Sequence, residues 1–418
     1  MFSFQQLFLS LCLSFTIFSL ISQASVPPSA TFKYVNEGDY GERRVEYDAL
    51  YRALEPFAQP FQLCFYSNST TPDQFTLALR MGTWTNFSRM RWVWEANRGN
   101  PVGENATFSL GTDGNLVLAD ADGRIAWQSY TANKGVVGFQ LLSNGNMVLH
   151  DSKGRFIWQS FDYPTDTLLV GQSLRLGGPT KLVSRVSEEK TADGPYSLKS
   201  NSPKPFLYFS FSELFTAPKA PLNRVTLGLN LSLEFHGPNF SSEELNLRRP
   251  KYNTTLSYLG LEMDGNLRIH TYEDNADSDA WEVTYTLFSR DSIETECQLP
   301  ERCGSFGLCQ DNQCVACPSP KGLLGWSKNC GPAKISSCGV KDFKYYKLGG
   351  VDHFMSKYTR GNGPMKQDAC SSKCTKDCKC LGYFYHTQSS RCWIAYDLKT
   401  LTKANNSTHL AFIKVPNK

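Results

Sequence analysis

A chain of 418 residues is too long for one small domain and implies several. Hydrophobic residues make up 41% and charged residues 20%, so the chain can build cores and is not disordered. Lys and Arg number 43 against 39 Asp and Glu; the net +4, spread over this length, excludes a dedicated nucleic-acid or polybasic membrane binder.

In chain order, the first element is the run Leu7 to Ile21, almost wholly apolar or Ser/Thr, followed by the small-x-small site Ser22-Gln23-Ala24. It predicts a secretory signal peptide over 1–24, although no basic residue precedes it. A membrane anchor wants about 20 apolar residues and is the weaker reading. No later stretch is apolar enough to span a bilayer, so a secreted, extracellular protein without a membrane span is expected. Sequons headed by Asn68, Asn86, Asn105, Asn230, Asn239, Asn253, Asn405 and Asn406 add an expectation of N-glycosylation.

Past this leader, Gln62-Leu-Cys64-Phe-Tyr66 alternates like a strand and predicts a buried, inert thiol at Cys64 in preference to an intermolecular bridge. Ser109–Tyr130 then recurs as Gln140–Phe161 at a constant offset of 31 residues, with Gly114 on Gly145, Asn115 on Asn146, Val117 on Val148 and Trp127 on Trp158. Each copy reads strand, Asp-Gly or Asn-Gly turn, strand, second turn, Trp-bearing strand, and the turn pairs predict type I′ hairpins. Such repetition means one supersecondary unit packed on its copies. A weaker third copy, Leu261–Trp281, contains Met263-Asp-Gly-Asn-Leu-Arg-Ile269, with its Trp 17 positions after the Asp instead of 14. A second sheet domain is therefore expected over about 172–292. No helical period of useful length occurs before residue 365, so the bulk is mainly β. Trp94, Trp127 and Trp158 recur in the pattern and read as core filling before sugar-stacking platforms. The acidic run from Glu273 to Asp279 lacks the central Gly and terminal Glu of an EF-hand and reads as a solvated loop, not a calcium site.

The chain has 14 Cys; Cys12 leaves with the signal peptide, and twelve crowd between Cys297 and Cys392. Cys297, Cys303, Cys309, Cys314, Cys317 and Cys330 lie among Gly, Pro and polar residues that cannot bury a core, so disulfides must hold this segment. Cys338, Cys370, Cys374, Cys378, Cys380 and Cys392 alternate with apolar stretches such as Leu381 to Tyr385. Their close spacing suits zinc in a cytosolic chain, but after a signal peptide the disulfide reading prevails.

Trp92-Val-Trp-Glu-Ala-Asn-Arg98 with Gly-Asn-Pro-Val102, the Asp/Asn-Gly-Asn repeats and Trp158-Gln-Ser-Phe-Asp-Tyr-Pro-Thr-Asp-Thr-Leu168 resemble the plant bulb-type (mannose-binding, G-type) lectin domain. Cys297–Cys330 resembles an EGF-like module, and Cys370 to Trp393 a PAN/apple module. This order is that of S-locus glycoproteins and lectin receptor kinases. Phe32-Lys-Tyr-Val-Asn-Glu-Gly-Asp-Tyr-Gly41 and Val45-Glu-Tyr-Asp-Ala-Leu-Tyr51 are similar to the plant epidermis-specific secreted glycoprotein family. The resemblance implies tandem β-prism domains, the first over 25–171 and the second over 172–292. It implies a disulfide-rich EGF-like module at 293–333 and an α+β PAN/apple domain at 338–418. It further implies the bridges Cys370–Cys392 and Cys374–Cys380, which leave Cys338–Cys378, and, by the usual EGF order, Cys297–Cys309, Cys303–Cys314 and Cys317–Cys330.

Bulb lectins hold mannose with a Gln-x-Asp-x-Asn-x-Val-x-Tyr strand, whose alternate residues share one face. In the first copy Asp113, Asn115 and Val117 match, while Gly111 and Ala119 stand in for Gln and Tyr. In the second, Asn146 and Val148 match, and Leu142, Asn144 and His150 fill the other places. In the third, Asp264 and Asn266 match, beside Glu262, Arg268 and His270. No copy keeps all five, and each lost hydrogen bond is worth about 0.5–1.5 kcal/mol, so a degenerate site is expected. Asp113, Asn144 and Asp264 also precede a Gly, and their conservative role is that of turn residues.

None of the six His sits in a His-Glu-x-x-His motif, and there is no Gly-x-Ser-x-Gly, P-loop or dinucleotide fingerprint. No cofactor, metal or catalytic residue is implied. The reading is a secreted non-catalytic glycoprotein of the plant cell wall or apoplast that binds glycans or glycoproteins of the extracellular matrix. The alternative is a wall-active glycosidase, or other enzyme, carrying lectin-like modules.

Overall fold

The computed structural model describes residues 25–83, 89–175, 181–199, 208–210, 223–237, 240–246, 256–272, 280–291, 294–335, 339, 341–404 and 406–417. The expected signal peptide, the acidic run and the sequons at Asn86, Asn239, Asn253 and Asn405 lie outside the described residues. The chain forms two compact units, the first running to Thr165 and taking in Glu188–Ala192, the second holding Asp166–Ser187, Asp193–Tyr272 and Glu282–Lys418.

The first unit is built from three antiparallel sheets. Leu50–Ala58, Phe61–Ser67, Thr76–Met81 and Arg91–Glu95 form a meander; Phe32–Val35, Thr107–Leu110, Leu116–Ala119 and Ile125–Gln128 form the second sheet, and Gly138–Leu141, Met147–His150 and Phe156–Gln159 the third. Leu116 and Leu118 point inward at 1% and 0% exposure while Val117 and Ala119 are half-buried, the alternation a sheet with one core face requires. Thr76–Met81, by contrast, is buried on both faces, which suits its unbroken run of Thr, Leu, Ala and Met around Arg80. One Trp from the last strand of each sheet meets in a common cluster. Trp94 and Trp127 lie edge to face at 5.8 Å, Trp127 and Trp158 at 5.6 Å, and Trp94 and Trp158 at 6.5 Å.

Cys64 sits fully buried on the central strand Phe61–Ser67 and bonds to no other cysteine. Burial pushes its thiol up to about 12, against the opposing influence of Arg80. The folded thiol therefore stays neutral where the unfolded one ionises. Its contribution to stability is complete below the ordinary thiol range and is lost as pH rises towards 12. Native protein at pH 8 should leave Cys64 unreacted with Ellman's reagent, and denatured protein should release one equivalent. Rapid reaction of the native chain would contradict the buried-thiol reading.

In the second unit, Thr167–Leu169, Ser257–Leu261, Leu267–Tyr272 and Trp281–Thr286 make one sheet, Ser173–Arg175, Arg224–Leu227, Ser232–Gly237 and Phe240–Asn246 another, and Lys181–Arg185, Asp193–Lys199 and Tyr208–Ser210 a third. Leu168, Leu174, Leu198, Val225, Leu233 and Ile269 close a core between them. Thr167–Leu169 pairs within this unit, which starts at Asp166.

The cystine-rich segments contribute a five-stranded sheet in the order Gly322–Gly325, Gln313–Ser319, Leu308–Gln310, Leu401–Lys403, Val351–His353. A four-stranded sheet, Phe343–Gly349, His409–Pro416, Gly382–His386 and Arg391–Ala395, carries the helix Gln367–Lys376. Leu308–Gln310 pairs in parallel with Leu401–Lys403, and Phe306 and Leu308 share a core with Phe384 and Ile413. The 293–333 and 338–418 segments are thus joined through one sheet and one core. Bridges join Cys297–Cys309, Cys303–Cys314, Cys317–Cys330, Cys370–Cys392 and Cys374–Cys380. Cys370 and Cys374, four residues apart, share the buried face of the helix, so their two bridges pin it to the sheet and to its own exit loop. Cys378 is disulfide-bonded too; Cys338, its expected partner, lies outside the described residues.

Candidate carbohydrate-binding faces

All three repeat copies make the same turn, and it is not type I′. Gly114, Gly145 and Gly265 have φ of +80°, +85° and +83°, whereas the Asp or Asn before each keeps a negative φ. Their amides donate back to Gly111, Leu142 and Glu262. This is a type I turn closed by a left-handed glycine, a longer loop than the two-residue hairpin expected from Asp-Gly and Asn-Gly alone. At Gly114 the glycine is also a matter of space, since a Cβ would stand 2.8 Å from Val136.

The turn assigns the first site residue. Asp113, Asn144 and Asp264 each accept a hydrogen bond from the backbone amide two residues on, at 3.0, 3.1 and 2.8 Å. They are exposed, and Asp264 is further gripped by both terminal nitrogens of Arg268 at 3.0 and 2.7 Å.

The Asn that follows is turned inward. Asn115 is 9% exposed, donates to Gln128 Oε1 at 2.8 Å and accepts from Ser129 Oγ and the Thr131 amide at 3.2 and 3.0 Å. Asn146 repeats the pattern with Gln159, Ser160 and Phe161 at 2.9, 3.3 and 3.2 Å. Asn266, 1% exposed, donates to Phe288 O at 2.9 Å and accepts from the Phe288 amide at 3.0 Å. Each amide has its oxygen and one of its two N–H groups bonded inside the protein, which leaves at most one buried N–H for a sugar hydroxyl. All three tie the turn to the chain leaving the Trp-bearing strand.

The remaining positions differ between copies. Val117 is half-buried and keeps an outward edge, whereas Val148 is 1% exposed. In the third copy Glu262 and His270 bond each other at 2.7 Å, and His270 stacks on Tyr258 with centroids 4.9 Å apart. With Asp264 on Arg268, the polar groups of that face are spent on one another. The first copy alone leaves an exposed carboxylate beside a partly open valine.

Gln128, Ser129, Gln159 and Ser160 complete these networks and were legible only as the shared Trp-Gln-Ser of the two repeats. In the Trp cluster, Trp94 and Trp158 are 5% and 6% exposed and Trp127 is half-buried. Trp281 is not the third member of that series. The Leu287 amide donates to Leu267 as the Ser129 amide does to Leu116, and Tyr285 stands two residues before Leu287 as Trp127 does before Ser129; Tyr285 is partly buried against the second unit's core. Of the described sequons, Asn105, Asn230 and Asn406 are exposed. Asn68 is not available in the folded chain, because it is 5% exposed and its Nδ2 donates to the carbonyls of Glu188 and Glu189 at 3.2 and 2.8 Å.

The D-mannose binding lectin family matches residues 91–190 and the S-locus glycoprotein domain residues 231–325. The chain is 50% identical to "EP1-like glycoprotein 3" of Arabidopsis thaliana over 98% of its own length and 97% of that protein. It is 55% identical to "Epidermis-specific secreted glycoprotein EP1" of Daucus carota, over 78% of this chain and 92% of that one. A "PAN domain-containing protein" of Arabidopsis thaliana is 24% identical over 80% of this chain and 68% of its own. The chain belongs to the family of EP1-like secreted glycoproteins. Among the described residues no helix is long and apolar enough to cross a membrane.

Proposed function

We propose that the protein is a non-catalytic glycoprotein of the plant cell wall or apoplast, binding glycans or glycoproteins on a scaffold of tandem β-prism domains followed by EGF-like and PAN/apple modules. Its three mannose-type faces serve the fold, and recognition runs through other surfaces. The observation that carries this reading is the inward commitment of Asn115, Asn146 and Asn266. The meeting of one Trp from each of three sheets supports the prism architecture, and the two bridges anchoring the helix Gln367–Lys376 support the PAN module.

Glycan-array screening of the parent, with Asp113→Ala and Asp113→Asn beside it, tests the proposal. Asp113→Ala removes the acceptor of the Asn115 amide and should cost about 0.5–1.5 kcal/mol. Asp113→Asn should be silent, because Asn144 already does the same work in the second copy. No mannose signal on the parent together with this split supports a turn role. Parent binding to mannose that both variants abolish at unchanged melting temperature would restore the sugar site. The enzymatic alternative has its own check: release of reducing sugar from wall polysaccharide, abolished by one carboxylate substitution, would establish it.

A further inference from the structure

We propose that Asp352, His386 and His409 form a binding site for a divalent d-block cation of the zinc type. Their residue numbers hide the cluster, since His386 and His409 lie 34 and 57 positions from Asp352. The sheet assembles it. Gly382–His386 pairs antiparallel with His409–Pro416, and His386 stands directly opposite His409 at the end of that pairing. Side chains of a directly opposed pair project from the same face, so both imidazoles emerge together with centroids 3.8 Å apart. Asp352, on Val351–His353, reaches under them. His386 Nε2 lies 2.9 Å from Asp352 Oδ1, and His409 Nδ1 contacts Oδ2.

The three donor atoms all lie within 4.8 Å of one another. Ligand atoms bonded to one zinc ion at about 2.0–2.2 Å are themselves separated by only a little more than 3 Å, so small rotations bring all three onto a common centre. Two imidazole nitrogens and one carboxylate form a donor set that favours zinc or copper over calcium or magnesium, which prefer oxygen. The side chains are 13–23% exposed, open enough for entry and for a fourth, exchangeable ligand. The site is also held in place. The His386 ring packs on Trp393 at 4.4 Å, and the Gly350 amide donates to the His409 carbonyl at 2.8 Å. Arg391, opposite His386 on the next strand, turns its guanidinium to the Gly363 carbonyl at 2.6 Å, keeping that charge off the ligands.

Titrating the full secreted protein with zinc sulfate alone, with calcium chloride as control, is the direct test. One equivalent of zinc should bind, calcium should not compete, and the melting temperature should rise reversibly with zinc. His386→Gln and His409→Gln should each weaken binding by more than about tenfold. X-ray absorption of the zinc-loaded parent guards against a variant that fails to fold: two imidazoles in the coordination shell support the site. Absence of stoichiometric binding, an all-oxygen shell, or equal affinity in folded variants would overturn it.

Discussion

Glu95→Ala should destabilise the first unit by about 3–5 kcal/mol, the cost of breaking a buried ion pair from one side. Glu95 and Arg98 have side chains only 3% and 7% exposed and form an ion pair through Arg98 Nε and Glu95 Oε2. The other carboxylate oxygen accepts from the hydroxyl of Tyr66, itself 1% exposed and stacked on Trp92 at 4.3 Å. Removing the carboxylate takes the shared acceptor from both. Glu95→Gln keeps an acceptor but loses the charge and should fall between the two. Adding Arg98→Ala to Glu95→Ala should recover part of the loss, because the cation that faced the carboxylate is removed with it. Chemical denaturation of the parent, Glu95→Ala, Arg98→Ala and the double variant closes a double-mutant cycle. A loss below about 1 kcal/mol for Glu95→Ala would mean the pair behaves like a surface salt bridge.

Trp158→Ala should cost a similar amount, about 3–5 kcal/mol, as expected for deleting a large aromatic from a packed core. The indole is in contact with three other rings: edge to face with Trp94 and Trp127, and stacked with Tyr163 at 5.8 Å and 15°. Alanine would leave a void at the place where three sheets contribute to one cluster. Trp158→Phe fills part of that void and should lose less. An exposed sugar platform predicts the opposite result, near-normal stability with any glycan signal reduced. Denaturant midpoints and near-ultraviolet circular dichroism of the first unit distinguish the two.

Both residues belong to segments that carried the family resemblance, and their roles illustrate how far the sequence could be read. Trp92 to Arg98 was recognisable as a signature, yet its chemistry is architectural. Alongside Glu95 and Arg98, Asn97 accepts from the Leu77 amide at 2.9 Å and donates to the carbonyls of Phe75 and Asn100. The mannose-type strand shows the same limit of local spacing. Spacing placed Asp113, Asn115 and Val117 on one side of an ideal strand, but Asn115 still belongs to the turn, where backbone geometry swings its amide inward. The type I′ expectation failed for the same reason, as Asp-Gly is compatible with more than one loop length and pairing register decides between them.

By itself the sequence determined the features that depend on near neighbours: mainly β structure, the 31-residue repeat, the glycines at left-handed turns, and the concentration of twelve cysteines in the last third. Backbone preference, alternation and half-cystine spacing are local, so they survive reading one segment at a time. The tertiary structure alone decided which polar groups are buried and whom they meet. Asn115 meets Gln128 across a hairpin, Glu95 meets Tyr66 across a sheet, and Asp352 meets His386 and His409 from three separate strands. Such contacts are set by strand register and by desolvation, both properties of residues far apart along the chain and invisible to any local pattern.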